Sequence, residues 1–375
     1  MTSAQPLTGP LAGIKVLDLS RVLAGPWSGQ MLGDLGAEVI KVEQPGQGDD
    51  TRKWGPPFLP DGSRDSAYYL CANRNKRSAA IDLSRPEGQE LVRKLAAEAD
   101  IVLENFRVGG LAKYGLDYAS LKAVKPDLIY CSITGFGQTG PDKDKGGYDF
   151  LIQGMSGLMS VTGEANGHPL KVGIPVSDLT TGLYATISIL AALQHRNRTG
   201  EGQHIDLALL DAQMALLANQ GSNWLNGGAE PRRMGNQHPT IVPYQDFPTA
   251  DGDIILTVGN DGQFRKFCEV AGHVEWAADP RFATNRARVA HRAELIPLIR
   301  QVTVFRTTAE WVRALEQAGV PCGPINDLAQ VFADPQVQQR ALKIDMPHPL
   351  SGTVPLVASP LRLSASPVDY RNPPP

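Results

Sequence analysis

The chain has 375 residues, enough to bury a large core and to form two domains rather than one. Its hydrophobic fraction (42%) and charged fraction (20%) are those of an ordinary soluble globular protein, and 36 Lys plus Arg nearly cancel 39 Asp plus Glu. The net charge of -3 gives no electrostatic reason to expect a nucleic-acid partner, and no apolar run approaches the roughly 20 residues of a membrane span.

Residues 14–19 (IKVLDL) form a short β-branched apolar run of strand length. Leu23-Ala24-Gly25-Pro26 follows, with Pro26 suited to the first position of a helix. Residues 27–35 carry apolar side chains at helical spacing, and Gly36 ends them as a C-cap glycine should. Residues 38–43 (EVIKVE) are a second strand, completing a strand–helix–strand unit of the kind that builds a parallel sheet. The pattern recurs. Residues 78–83 predict a strand, Ser84 and Glu87 bracket Arg85-Pro86 like a capping box, and a helix runs to about Ala99. Residues 100–105 and 128–134 are further strands. This alternation predicts an α/β fold with helices on both faces of the sheet. From Asp178 to about His195 the sequence predicts a long buried core helix rich in Ala, Leu and Ile.

Around residues 226–239 the texture changes to Gly, Pro, Asn and Arg, which places a boundary. Residues 1–225 are then the first part of a large domain. Residues 226–325 are a smaller one, with a strand at 253–258 and helices near 263–271, 293–302 and 308–319. Residues 326–375 return to the large domain through a strand at 352–363, and Asn372-Pro-Pro-Pro is expected to fray.

Cys71, Cys131, Cys268 and Cys322 are far apart and form neither a zinc spacing nor a disulfide framework. Residues 1–13 have no basic start or apolar run of a signal peptide. The expected location is therefore cytoplasmic, or the mitochondrial matrix if a transit peptide has been removed. A literal GxGxxG stands at Gly135-Phe136-Gly137-Gln138-Thr139-Gly140, after a strand. A dinucleotide site needs a helix to start there, and the polar stretch Pro141-Asp-Lys-Asp-Lys-Gly-Gly147 predicts a flexible active-site loop instead. His238, in the boundary segment, is the one scattered histidine in a suggestive place. Asp178 opens the long helix within Gly173-Ile-Pro-Val-Ser-Asp178-Leu-Thr-Thr-Gly182. It fits an ordinary N-cap. It equally fits a carboxylate kept ionised by the helix N-terminus and able to attack a thioester. The pattern does not separate the two.

Several stretches, in this order, resemble the class III CoA-transferases, the CaiB/BaiF family. They include Leu11-Ala-Gly-Ile-Lys-Val-Leu-Asp-Leu, Leu35-Gly-Ala-Glu-Val-Ile-Lys-Val-Glu43, Asn75-Lys76-Arg77-Ser78, Glu104-Asn105-Phe106, Gly147-Tyr148-Asp149 and Ser177-Asp178-Leu-Thr-Thr-Gly182. The resemblance runs from about Leu11 to Leu363. Residues 48–58 and 241–245 look most like the succinate–hydroxymethylglutarate CoA-transferase branch.

The resemblance implies a Rossmann-like large domain with a smaller α+β domain, in two interlocked chains. It implies transfer of CoA from an acyl-CoA, such as succinyl-CoA, to a carboxylic acid. CoA is a substrate here, and no metal or tightly bound cofactor is expected. Asp178 falls on the family's nucleophile. Tyr148 and Gly259 are implied near the reacting groups. Val22, Leu23, Ala24, Gln44, Lys76, Asn105, Phe106 and Lys113 are implied for CoA, with the two lysines on phosphates. Leu23 replaces a glutamine of formyl-CoA transferase, which argues against oxalate and formate. Arg52 and Arg74 are candidates for the distal end of a dicarboxylate. An α-methylacyl-CoA racemase of the same fold is the alternative, disfavoured because Tyr148 stands where that enzyme has a histidine; a phenol is a poor proton-transfer group near neutrality. A non-catalytic acyl-CoA binder is a third reading.

Overall fold

The central strands carry buried apolar side chains on both faces, which calls for a sheet covered twice. The structure, a computed structural model, describes residues 8–60, 62, 65–228 and 230–375. Six strands, β1 (Lys15–Asp18), β2 (Glu38–Glu43), β3 (Lys76–Ala80), β4 (Ile101–Glu104), β5 (Ile129–Thr134) and β6 (His204–Ala208), pair in parallel in the order β3-β2-β1-β4-β5-β6. The helices that matter for the site are α1 (Ala24–Asp34), α2 (Pro86–Glu98), α3 (Asp149–Met155), α4 (Val176–Thr199) and α5 (Leu209–Leu216). Val16, Ile101, Leu103, Ile129 and Ile133 share one core with Leu32 of α1 and with Ala185 and Ile189 of α4. Their neighbours Leu17, Val102 and Tyr130 belong to the core that holds Val92 and Ala96 of α2. This is the alternation of a strand read on both sides.

The chain divides into two units. The larger takes the chain through Met159, Lys171–Glu230 and Pro335–Pro375; the smaller takes Ser160–Leu170 and Pro231–Asp334. In the smaller, a three-stranded antiparallel sheet (Tyr244–Pro248, Asp253–Thr257 and Cys322–Pro324) packs with helices around Phe247, Phe264, Phe267 and Trp311.

Some local expectations fail for identifiable reasons. No capping box forms at Ser84, because its N–H and hydroxyl both donate to Asp82 (2.9 and 2.7 Å) and Arg85 becomes the N-cap. The strand at 352–363 is shorter than expected: it spans Gly352–Val357, lies in the larger unit and pairs with Lys343–His348. The C-terminal segment does not fray: Asn372 exchanges hydrogen bonds with Asn75, and the Pro375 carbonyl accepts from Arg52 (2.7 Å). At 24 residues α4 is long and apolar enough to cross a membrane by length and composition, yet one face lies in the core through Ala185, Ile189, Ala192 and Leu193. The leader reading falls partly on residues 1–7, outside the described residues.

The larger unit also buries charge. Lys76 donates to Asp18 (3.0 Å), the Pro26 carbonyl (2.8 Å) and Asn73 (3.0 Å), and both members of the Lys76–Asp18 pair have fully buried side chains. Burial alone would raise the Asp18 pKa; Lys76 and Lys41 outweigh it and hold the carboxylate ionised. Lys76 is therefore engaged inside the fold by three partners. Replacing it with Ala strands Asp18, and urea unfolding of Lys76→Ala should show a loss of about 3–5 kcal/mol. A ligand role would instead leave stability intact and weaken only acyl-CoA binding.

Candidate active site

In an open parallel sheet the ligand crevice lies beyond the carboxyl ends of the strands where the order reverses. That point here is between β1 and β4. A cleft of about 500 Å³ lies there, walled by residues 21–24 after β1, 105–108 after β4 and 133–135 at the end of β5. Loop residues 143 and 145–148, with Asp178 and Leu209, complete it.

Asp178 is the third residue of α4, not its N-cap. The cap comes from another helix: Asp149, the first residue of α3, accepts the N–H groups of Ser177 (2.8 Å) and Asp178 (3.3 Å). Gln153 fixes Asp149 by donating to its other oxygen (2.7 Å). Asp149 thus takes the helix N-terminus for itself and adds a negative charge beside Asp178. Among the described residues no donor reaches the Asp178 carboxylate. Burial, and then the Asp149 charge, push its pKa up to about 7. The expectation that the helix N-terminus keeps it comfortably ionised is corrected: the carboxylate is poorly solvated and weakly stabilised. Tyr68, not singled out by the sequence, lies close enough that Asp178 is the second cause, after burial, of its raised phenol pKa.

The wall after β1 is strained. Val22 is β-branched and has φ +70°, a conformation that costs about 1–3 kcal/mol outside glycine. It leads into α1, whose first N–H groups have no intrahelical acceptor. Five cations, Arg21, Arg107, Lys113, Lys143 and Lys145, line the cleft against two acids, Asp50 and Asp178. The two loop lysines sit beyond a narrow neck. Gly135 and Gly147 cross so closely that a Cβ on Gly135 would lie 2.6 Å from the Gly147 Cα. The GxGxxG turn starts no helix; its Gly137 and Gln138 N–H groups donate to Thr134 and Asp206.

Residues 11–375 match CoA-transferase family III. The chain belongs to that family. It is 54% identical to the succinate–glutarate CoA-transferase of Agrobacterium fabrum, over 100% of this chain and 94% of the relative. It is 44% identical to the human succinyl-CoA:glutarate CoA-transferase, over 98% of this chain and 83% of that one. The crystal structure of a CaiB/BaiF family protein from Brucella suis superposes with a TM-score of 0.88 at 52% identity, covering 98% and 96% of the two chains.

Against the family III expectations, the structure brings Val22, Leu23, Ala24, Asn105, Phe106, Lys113, Tyr148 and Asp178 to one cleft. It does not bring Gln44 or Lys76 there. Gln44 is exposed outside the lining, and Lys76 is buried in its ion pair. Gly259 belongs to the smaller unit, where its N–H donates to Gln263 (2.8 Å) and so is not a free donor. Arg52 is held by Glu43 and Asp65, and Arg74 by Asp34, and neither lines the cleft. His238 meets the Tyr244 ring at a tilt (centroids 5.1 Å apart) and takes the Thr240 N–H through Nδ1, a turn-stabilising part. Arg21, Arg107, Lys143, Lys145 and Asp149 were missed. The two lysines were legible as the charges of the glycine-bounded loop; Asp149 was quoted only as part of a motif.

A nucleophilic carboxylate with a pKa near 7 would give activity that rises through neutrality, because only its ionised form attacks. Removing a like charge favours ionisation, so in Asp149→Asn the acidic limb of the pH profile of kcat/KM should move to lower pH. A limb that stays in place would mean that Asp149 acts on the helix alone.

Proposed function

We propose that this family III enzyme transfers CoA from succinyl-CoA to a free dicarboxylate, with glutarate as the first acceptor to test, and that Asp178 is the nucleophile. The observation that carries the reading is an unpaired, poorly solvated carboxylate in a cationic cleft at the switch point of the sheet. The names of the Agrobacterium and human relatives support the choice of acids.

An Asp178 oxygen attacks the thioester carbonyl; the C–S bond breaks and CoA leaves as thiolate, giving a mixed anhydride. The thiolate attacks the Asp178 carboxyl carbon, succinate leaves, and an aspartyl-CoA thioester forms. Glutarate attacks that carbon and expels the thiolate again. The thiolate then takes the glutaryl carbonyl, and Asp178 is regenerated. No step calls for a metal or redox group. N–H groups of Leu23 and Ala24 are suited to the developing oxyanions. Arg107, Lys113, Lys143 and Lys145 suit the CoA phosphates, and Phe106 and Tyr148 the less polar parts of the arm. Poor solvation of Asp178 helps attack, since little hydration is lost on the way to the anhydride.

The chain is further proposed to work as an interlocked homodimer. Leu183, Tyr184 and Ile187 of α4 are exposed in the single chain (44%, 38% and 61%), a surface that a second copy would cover.

Incubation of the protein with succinyl-CoA and glutarate should yield glutaryl-CoA by mass spectrometry. In Asp178→Ala the rate should fall roughly 10³-fold or more. Undiminished transfer by that variant would remove the nucleophile, and no glutaryl-CoA from the parent would remove the acid assignment.

A further inference from the structure

We infer that Asn105 and Asp49 are positioning residues, which hold Val22 in its left-handed conformation and so keep the first turn of α1 in the wall of the Asp178 cleft. This rests on the transfer reading above.

The Asn105 side chain holds both backbone groups of one residue. Its Oδ1 accepts the Arg21 N–H (2.9 Å) and its Nδ2 donates to the Arg21 carbonyl (2.7 Å). This pairing gives the Asn105 amide a backbone partner of its own, beside the ligand role that the resemblance assigns. One residue on, the Val22 N–H points between the two Asp49 oxygens, 3.3 Å from each. Asp49 has no freedom to follow a moving chain. It accepts Thr51 N–H and hydroxyl (2.9 and 2.7 Å) and pairs with the fully buried Lys41 (2.9 Å). Lys41 in turn donates to the Ser20 carbonyl (2.7 Å). The backbone groups of three consecutive residues, Ser20, Arg21 and Val22, are thus gripped by side chains from β2 (Lys41), the segment after β2 (Asp49) and the segment after β4 (Asn105). A segment in a relaxed conformation needs no such grip. Strain persists only where the surroundings over-determine it, and here it leads directly into Leu23 and Ala24 of the cleft wall.

The test separates positioning from ligand binding and from plain stability. Asn105→Ala should lower kcat for succinyl-CoA to glutarate transfer by about 10–100-fold, the scale of a misplaced reacting wall. KM for succinyl-CoA should stay within about two-fold, since uniform binding is untouched. Glycine adopts a positive φ without a steric penalty, so adding Val22→Gly to Asn105→Ala should restore roughly ten-fold or more of the lost kcat. Asn105→Asp keeps the acceptor for Arg21 N–H, loses the donor, and should fall between parent and Asn105→Ala; it also serves if Asn105→Ala fails to fold. A raised KM without rescue by Val22→Gly would return Asn105 to the ligand. A lowered Tm with kcat unchanged would make the grip merely structural. A parent with no transfer activity brings down the transfer reading itself, whereas a parent that transfers alongside an Asn105→Ala of equal kcat overturns the positioning role alone.

Discussion

Two lysines with no exposed side-chain surface, Lys41 and Lys76, lie among the strands of the larger unit, and each faces a carboxylate about 3 Å away. A buried ammonium without a partner is costly enough to lose its proton or unfold the region. Asp49 and Asp18 are therefore fixed as firmly as the lysines. The pairs also dictate what may cover them. A Cβ on Gly29 of α1 would lie 2.8 Å from an Asp18 oxygen, so glycine is what lets the helix settle over the ion pair. Lys76 then ties α1 down through the Pro26 carbonyl, and Lys41 ties down the start of the cleft wall through Ser20.

Asp178 is the opposite case within the same unit. It is a carboxylate with a negative neighbour and no cation against it, and its ionisation works against the fold. Val22 adds a strained backbone to the same cleft. Both unfavourable features stand at the switch point of the sheet, next to the stiffest electrostatic cross-links. Rigidity on one side of the cleft makes discomfort on the other side tolerable, and the discomfort is what the proposed chemistry would use.

Much of this was legible in the chain. Residues 38–43 were readable as the strand β2 because Val39, Ile40 and Val42 are β-branched and no Gly or Pro interrupts the run. Gly36 marked the end of α1, where φ is +106°. The edge strand β6 was missed because HIDLA is half polar and half covered, as an edge allows. The roles of charged residues were the least legible. Lys76 is read as a phosphate ligand until Asp18, far away in sequence, is seen beneath it. Asn105 sits at the right cleft for a reason that depends on Arg21, equally distant in the chain. Family likeness located the neighbourhood, while the duties of individual side chains followed from long-range pairings that no local pattern encodes.

The crossing of Gly135 and Gly147 pinches the intervening loop at its base, as a drawstring closes a purse. Its tip, with Lys143 and Lys145, is set apart from the floor where Asp178 stands. On the proposed transfer reading, the handle common to every CoA ester and the seat of the exchanged acid are in this way separate modules. Substitutions around the acid leave the handle undisturbed, and substitutions in the purse leave the acid undisturbed. A lineage built on such a scaffold is free to change acids by small steps while keeping its grip on the coenzyme, with the two glycines as the part that drift must spare.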